Sequence, residues 1–266
     1  MNYLLKYGIE YNPFIKNNDN LKVELSNHKQ LLFRLHHLEE TKGIGLITGE
    51  PGLGKTTSIR FWANELNKNL YKVIYIAHTT VTVYEFYKEL CHQFGIEEYY
   101  SKRKNLNSLQ AEIKRLSIEK KITPVIILDE ANYLPSVILN DLKIMLNFDM
   151  DSKEPYIVLL IGQNVIRNAL NMASNEALNQ RISMSYQMEP LNKDEAKQYI
   201  DNKLKIAGLT KALLTNEAYN VIIGASNGIP RKINKIMDKA LLLLENKKMD
   251  LIDDITAMEA IDESKI

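Results

Sequence analysis

The sequence predicts an α/β fold, a parallel five-stranded sheet flanked by helices and followed by a small C-terminal helical domain. Three observations carry this reading. Short apolar runs alternate with helix-patterned stretches from about residue 43 to 188, which is the signature of successive βα units around a parallel sheet. Strand signals stop beyond Pro190, where only helical periodicities remain. At the first strand-to-helix junction stands Gly49-Glu-Pro-Gly-Leu-Gly-Lys-Thr56, a Gly-x-x-x-x-Gly-Lys-Ser/Thr loop.

The elements follow in order. An N-terminal segment ending near Asn20 is polar and Asn-rich, and Leu21 to Leu38 reads as an amphipathic helix leading into the first strand at Gly43. Ile44 to Thr48 is short, apolar and branched. Thr57 to Leu66 carries apolar residues at helical spacing. Val73 to Ala77 reads as a buried second strand, Val83 to Phe94 as a helix, and Leu106 to Lys120 as a further helix through Leu109, Ile113 and Leu116. Pro124 to Asp129 is the third strand, Val137 to Phe148 a helix, Tyr156 to Ile161 the fourth strand and Ile182 to Met188 the fifth. Helices are expected over Asp194–Ala207, Asn216–Ala225, Pro230–Glu245 and Asp253–Ile261, with Gly or Pro at several boundaries. The expected organisation is therefore 1–40 as an N-terminal segment with its leading helix, 41–190 as the α/β domain and 191–266 as a helical lid.

Composition bounds the function. At 266 residues and 45% hydrophobic content the chain can bury a large core plus a satellite. Its longest apolar runs fall far short of the roughly 20 residues that span a bilayer, and the N-terminus lacks a signal-peptide pattern, so a cytoplasmic protein without membrane contact is expected. A single cysteine, Cys91, excludes an intramolecular disulfide and sits in the apolar pattern Phe86, Leu90, Phe94 as a buried helix residue. No histidine joins a zinc-site spacing, and no structural metal is expected. The net charge of +1 does not advertise a nucleic-acid partner, so any such surface must be a local patch.

The glycine-rich loop points to a nucleoside triphosphate. Glycines let the loop that starts at Pro51, itself without an N–H, turn the backbone N–H groups of Gly52, Leu53, Gly54, Lys55, Thr56 and Thr57 toward phosphate oxygens at a helix N-terminus. Lys55 is expected to reach the β- and γ-phosphates, and the Thr56 hydroxyl to hold Mg²⁺. About 74 residues after Lys55, the apolar run Val125 to Leu128 ends in Asp129-Glu130. Asp129 suits the Mg²⁺ shell, and Glu130 suits the orientation of an attacking water, which favours hydrolysis over phosphate transfer to another substrate. Two arginines add to the set. Arg231 follows Pro230, a residue suited to the first turn of a helix, and could reach back to the γ-phosphate. Arg181, just before the fifth strand, suits a finger inserted into a neighbouring subunit's site, an element worth about 10³ to 10⁵ in rate.

In this order the phosphate loop, the Asp129-Glu130 tip, Arg181 and the Gly228-Ile-Pro-Arg231 segment resemble the AAA+ ATPases over nearly the whole chain. Tyr11-Asn-Pro-Phe14, Leu160-Ile-Gly-Gln163, Asn179-Gln-Arg-Ile182 and the stretch from Pro190-Leu191 to Ala207-Gly208 are similar to the group of ExeA-type secretion ATPases and TniB, TnsC and IstB transposition helpers. The resemblance implies a P-loop NTPase fold with ATP and Mg²⁺ as cofactors, and it places Gln163 at the sensor-1 position, with Asn164 the alternative. It also implies that Tyr11 to Phe14 line the adenine pocket, while a hydrophobic anchor for the first helix fits the same residues.

Relatives in the transposition group thread double-stranded DNA through a ring or helical filament of identical subunits. The matching loop here is His78 to Thr82, so Thr79 and Thr80 are expected to face phosphate oxygens. Tyr99 to Asn105 reads as an exposed loop in which Lys102, Arg103 and Lys104 add positive charge. The leading expectation is an ATPase that assembles on target DNA, recruits or activates a transposase and disassembles on hydrolysis. An ExeA-type secretion role is expected less, because the sequence shows no membrane span or wall-binding domain. A replication initiator or helicase loader, and in a different class a P-loop kinase, are the other readings.

Overall fold

The computed structural model describes residues 3–15, 26–77, 82–148 and 154–265. They form two compact units. One comprises Gln30–Pro51 and Lys55–Met188, the other Met1–Lys29, Gly52–Gly54 and Glu189–Ile266.

The larger unit is built on a five-stranded sheet of order β2-β3-β4-β1-β5. The strands are β1 (Gly43–Gly49), β2 (Tyr71–Ile76), β3 (Thr123–Leu128), β4 (Ile157–Gly162) and β5 (Ile182–Met188). Every neighbouring pair is parallel, which requires a crossover between successive strands. Helices α1 (Ser26–Thr41), α2 (Lys55–Glu65), α3 (Val83–Phe94), α4 (Lys102–Lys114), α5 (Ser136–Met145), α6 (Val165–Leu170) and α7 (Glu176–Asn179) fill those connections and the approach to β1. Side chains alternate across a strand. Ile44, Leu46, Ile74, Ile76, Ile126, Leu128, Val158 and Leu160 therefore share one face, packed with Phe86, Leu90, Ile113 and Leu142. The opposite face buries Ile47, Ile127, Leu159 and Ile161.

Local chemistry explains the helix limits. Thr82 and Glu85 form a reciprocal capping box on α3, and Gly95 ends it in a left-handed conformation. Ser101 caps α4 through the Lys104 N–H. Because of that cap, Lys102, Arg103 and Lys104 form the first turn of α4, not the loop expected for Tyr99 to Asn105. The helix then ends at Lys114 and continues as one π-helical turn, Arg115–Glu119, where a single helix to Lys120 was expected. The second strand also differs from expectation. Val73 and Tyr75 are about two-fifths exposed while Ile74 and Ile76 are buried, because β2 is an edge strand with one open face. The long helix expected from Leu21 begins at Ser26 among the described residues and runs on to Thr41. Short helices α6 and α7 have no counterpart among the elements expected from the sequence.

The smaller unit contains α8 (Lys193–Ile206), α9 (Asn216–Ser226), α10 (Pro230–Asn246) and α11 (Asp254–Ser264). Asn192 with Glu195, Thr215 and Asp253 cap α8, α9 and α11, and Pro230 opens α10. The turn between α9 and α10 demands glycine at 228. Its φ is +69°, and an added Cβ would collide with the Leu191 carbonyl oxygen. The N-terminal stretch is not merely polar. A 3₁₀ turn at Tyr3–Tyr7 leads into Ile9 and Phe14, and Leu4, Ile9 and Phe14 are buried with Ile200, Leu204, Met237 and Leu241. Phe14 thus lies in a hydrophobic cluster of this unit. No helix among the described residues is long and apolar enough to cross a membrane.

Candidate nucleotide site

Parallel strands all end at one edge of the sheet, and the residues singled out from the sequence gather at three adjacent ends. β1 runs into the glycine-rich loop, β3 into Asp129-Glu130, and β4, which lies between them, into Gln163. That order sets Gln163 on the strand flanked by the loop-bearing and carboxylate-bearing strands.

Lys55 opens α2 and is buried, with Nζ donating to the carbonyls of Gly49 at 2.8 Å and Glu50 at 3.0 Å. The ammonium is thereby held against the mouth of its own loop, and the N–H groups of the first turn of α2 have no acceptor inside the helix. The next residue, Thr56, donates its hydroxyl to Asp129 Oδ2 at 2.8 Å. Asp129 is buried, and its carboxylate takes two more donors, the Tyr75 hydroxyl on Oδ2 at 2.8 Å and the Glu130 N–H on Oδ1 at 2.9 Å. The Asp129 N–H continues the sheet by donating to Ile76 O at 2.9 Å, so the carboxylate starts from a fixed backbone. Glu130 is exposed and adopts φ 51° and ψ 38°. A left-handed conformation at a non-glycine residue costs on the order of 1–3 kcal/mol. It turns the chain sharply at the strand tip and leaves the Glu130 side chain at the surface.

Pro51, Gly52, Leu53 and Gly54 form the rest of the loop. Gly52 has φ +92°, and its carbonyl accepts the Arg231 N–H at 3.2 Å. A Cβ at Gly52 would lie 2.8 Å from Arg231 Cβ. Arg231 is the second residue of α10 and its side chain is exposed. Thr57 is exposed on the first turn of α2.

Gln163 receives help the sequence did not reveal. Its N–H donates to Asn132 Oδ1 at 2.9 Å, which ties the tip of β4 to the turn after Glu130. Arg167 on α6 donates to Thr48 Oγ1 and Ser185 Oγ, each at 3.1 Å, bracing β1 and β5 near the loop. Tyr75, Asn132 and Arg167 were absent from the sequence-derived set. Their spacing forms no motif, and the bonds they make, Tyr75 to Asp129, Asn132 to Gln163 and Arg167 to Thr48 and Ser185, depend on the strand order.

Arg181 lies elsewhere. It precedes β5, whose first residue Ile182 pairs with Ile44 at the beginning of β1, and its Nη1 donates to Lys143 O at 2.8 Å. The glycine-rich loop leaves the other end of β1. At about 3.3 Å per residue, the five residues from Ile44 to Gly49 separate the two sheet edges by ~16 Å. Lys102 pairs with Asp141 Oδ2 at 2.6 Å, and Lys104 lies over the Tyr99 ring. Thr79 and Thr80 lie outside the described residues.

A family model described as an AAA domain matches residues 37–170, half of the chain, including four of the five strands, the loop and the acidic tip. The chain belongs to the AAA domain family. Membership implies nucleoside-triphosphate binding, and the five-stranded sheet is the P-loop AAA+ fold. The General secretion pathway protein A of Aeromonas hydrophila is 30% identical over 247 residues, which is 90% of this chain and 44% of that protein. This chain therefore spans less than half the length of that relative. Among solved structures, Cdc6p of Pyrobaculum aerophilum superposes with a TM-score of 0.69 at 17% identity, over 90% of this chain and 67% of the other. The Aeropyrum pernix ORC1 protein in complex with DNA gives 0.69 at 15% identity, over 94% and 68%. Both likenesses concern the fold.

Proposed function

We propose that this AAA+ protein is a Mg²⁺-dependent ATPase whose hydrolysis cycle drives assembly and disassembly of identical subunits on double-stranded DNA. The observation that carries the ATPase part is the convergence of Thr56 and Asp129 at 2.8 Å with Glu130 at the next position. A hydroxyl and a carboxylate side by side are the hard oxygen donors that Mg²⁺ prefers, so the residues present fit the ion. When bound, Mg²⁺ would neutralise charge on the phosphate oxygens. Lys55 holds the β- and γ-phosphates, the backbone from Pro51 to Thr57 encloses them, Glu130 orients the water, and Gln163 senses the γ-phosphate from the intervening strand.

Assembly is supported by the placement of Arg181. At the sheet edge opposite its own phosphate loop, it serves a neighbouring subunit, which makes hydrolysis conditional on a ring or filament. Arg231, whose backbone is bonded to Gly52, reports nucleotide occupancy to the helical lid.

DNA as the template, and transposition as the process, rest on the TniB- and TnsC-like segments and on a fold shared with a protein solved in complex with DNA. In this reading the assembled ATPase marks target DNA and recruits or activates a transposase. Lys102, Arg103 and Lys104 on the first turn of α4, with Thr79 and Thr80, supply backbone contacts. A second reading, an ATPase of a secretion apparatus, is favoured by the Aeromonas relative. Fluorescence anisotropy with labelled duplex DNA separates the two. The DNA reading requires binding that needs ATP and weakens steeply with salt; no binding at low salt with ATP present would leave the secretion reading.

A further inference from the structure

The carboxylate of Asp129 is held by three donors, and one of them comes from a strand with no assigned part in the nucleotide site. Tyr75 lies on the edge strand β2, paired in register with Ile127 of β3. Alternation along both strands puts Tyr75, Ile127 and Asp129 on the same face of the sheet. From there the Tyr75 hydroxyl reaches Asp129 Oδ2 at 2.8 Å, the same oxygen that Thr56 Oγ1 reaches at 2.8 Å. The Glu130 N–H occupies Oδ1 at 2.9 Å. The carboxylate plane is thereby fixed on both oxygens. Without Tyr75, the side-chain bond left on it among the described residues would come from Thr56, whose oxygen must also face the metal.

We infer that Tyr75 is a positioning residue that orients the Asp129 carboxylate for the divalent cation of the nucleotide site. This rests on the nucleotide-site reading above. A phenol donor suits this role, being long enough to cross from the neighbouring strand and delivering a single hydrogen bond. A phenol is protonated at neutral pH and so stays a donor to the carboxylate. Tyr75 is 43% exposed, so replacing it with Phe removes the hydroxyl while leaving little buried packing to disturb. Partners of this kind orient metal ligands, and losing one typically costs about 10- to 100-fold in metal affinity.

The test uses Mn²⁺ as the probe, titrated by electron paramagnetic resonance into the full chain with a non-hydrolysable ATP analogue. Tyr75→Phe should weaken Mn²⁺ binding by about tenfold or more, leave nucleotide binding in EDTA unchanged, and recover near-normal hydrolysis at high Mg²⁺. Unchanged Mn²⁺ affinity in Tyr75→Phe, beside a clear loss in Asp129→Asn, would overturn the inference while leaving the nucleotide site standing. No change in either variant would overturn both. A hydrolysis defect in Tyr75→Phe that no Mg²⁺ concentration relieves, with a lowered melting temperature, would mean a structural role and also overturn it.

Discussion

Thr56 Oγ1 donates to Asp129 Oδ2 at 2.8 Å, joining two residues 73 positions apart in the chain. The bond ties the first turn of α2 to the end of β3, so the two motifs most visible in the sequence are one chemical unit. If they act as a unit on the cation, their removal is not additive. Thr56→Ala and Asp129→Asn should each lower Mg²⁺-dependent hydrolysis by about 10²-fold or more, the loss expected of a directly acting group. The double variant should be little worse than the worse single one. Steady-state kinetics of the three variants measures this coupling, and full additivity would show independent roles.

Lys55 is expected to be indispensable for binding. Its ammonium is buried and satisfied by the Gly49 and Glu50 carbonyls, which hold it ready at the loop. Lys55→Ala should weaken binding of a fluorescent ATP analogue by at least about tenfold, since one charged contact is worth more than ~1.4 kcal/mol. Far-ultraviolet circular dichroism should remain that of the parent, because the site sits at the rim of the sheet.

Arg181 gives a different kind of prediction, because the proposed function assigns it to the site of a neighbouring subunit. An Arg181→Ala subunit retains an intact nucleotide loop, and a Lys55→Ala subunit retains an intact finger. Each alone should lose about 10³-fold or more in hydrolysis, and mixing them should restore a measurable fraction. No recovery on mixing, with both variants folded, would place Arg181 outside the neighbouring site.

The helical unit carries a pH signature. Lys203 on α8 is buried, with Nζ 3.2 Å from Asn234 Oδ1 and the rings of Phe14 and Tyr199 above it. Burial lowers its pKa from 10.5 to about 8. The unfolded chain thus binds the proton more tightly than the folded one between these two values, and stability rises with pH across that window. Below pH 8 the full penalty is present, on the order of 3 kcal/mol at about 1.4 kcal/mol per unit. Lys203→Met should raise the urea midpoint at pH 7, and the gain should shrink as the pH approaches 10.5. A gain independent of pH would show that Lys203 is not buried in its charged form.

What the sequence reveals about this molecule follows from how local each feature is. The glycine-rich loop, the acidic strand tip and all five strands are runs of adjacent residues, and their patterns survive without any neighbour. The strand order does not, and with it go the bonds of Tyr75 to Asp129, Asn132 to Gln163 and Arg167 to Thr48 and Ser185, which form only because β2, β4 and β5 are laid beside β3 and β1. The apolar composition of Val73 and Tyr75 predicts a buried face for β2, whereas exposure is set by edge position. Lys102 to Lys104 looked like a loop because a cluster of charges lacks an apolar stripe; the Ser101 cap decides otherwise. Leu4, Ile9 and Phe14 were hidden among asparagines, and their partners lie some 190 residues downstream or more.

The central claim, an assembly switch driven by ATP, is tested most directly by sedimentation velocity of Glu130→Gln with ATP and duplex DNA. This variant should bind ATP and fail to hydrolyse it. The account predicts a stable, fast-sedimenting DNA complex of many subunits that persists while ATP is present and does not form with ADP. A single subunit mass in every condition, with ATP demonstrably bound, would contradict it.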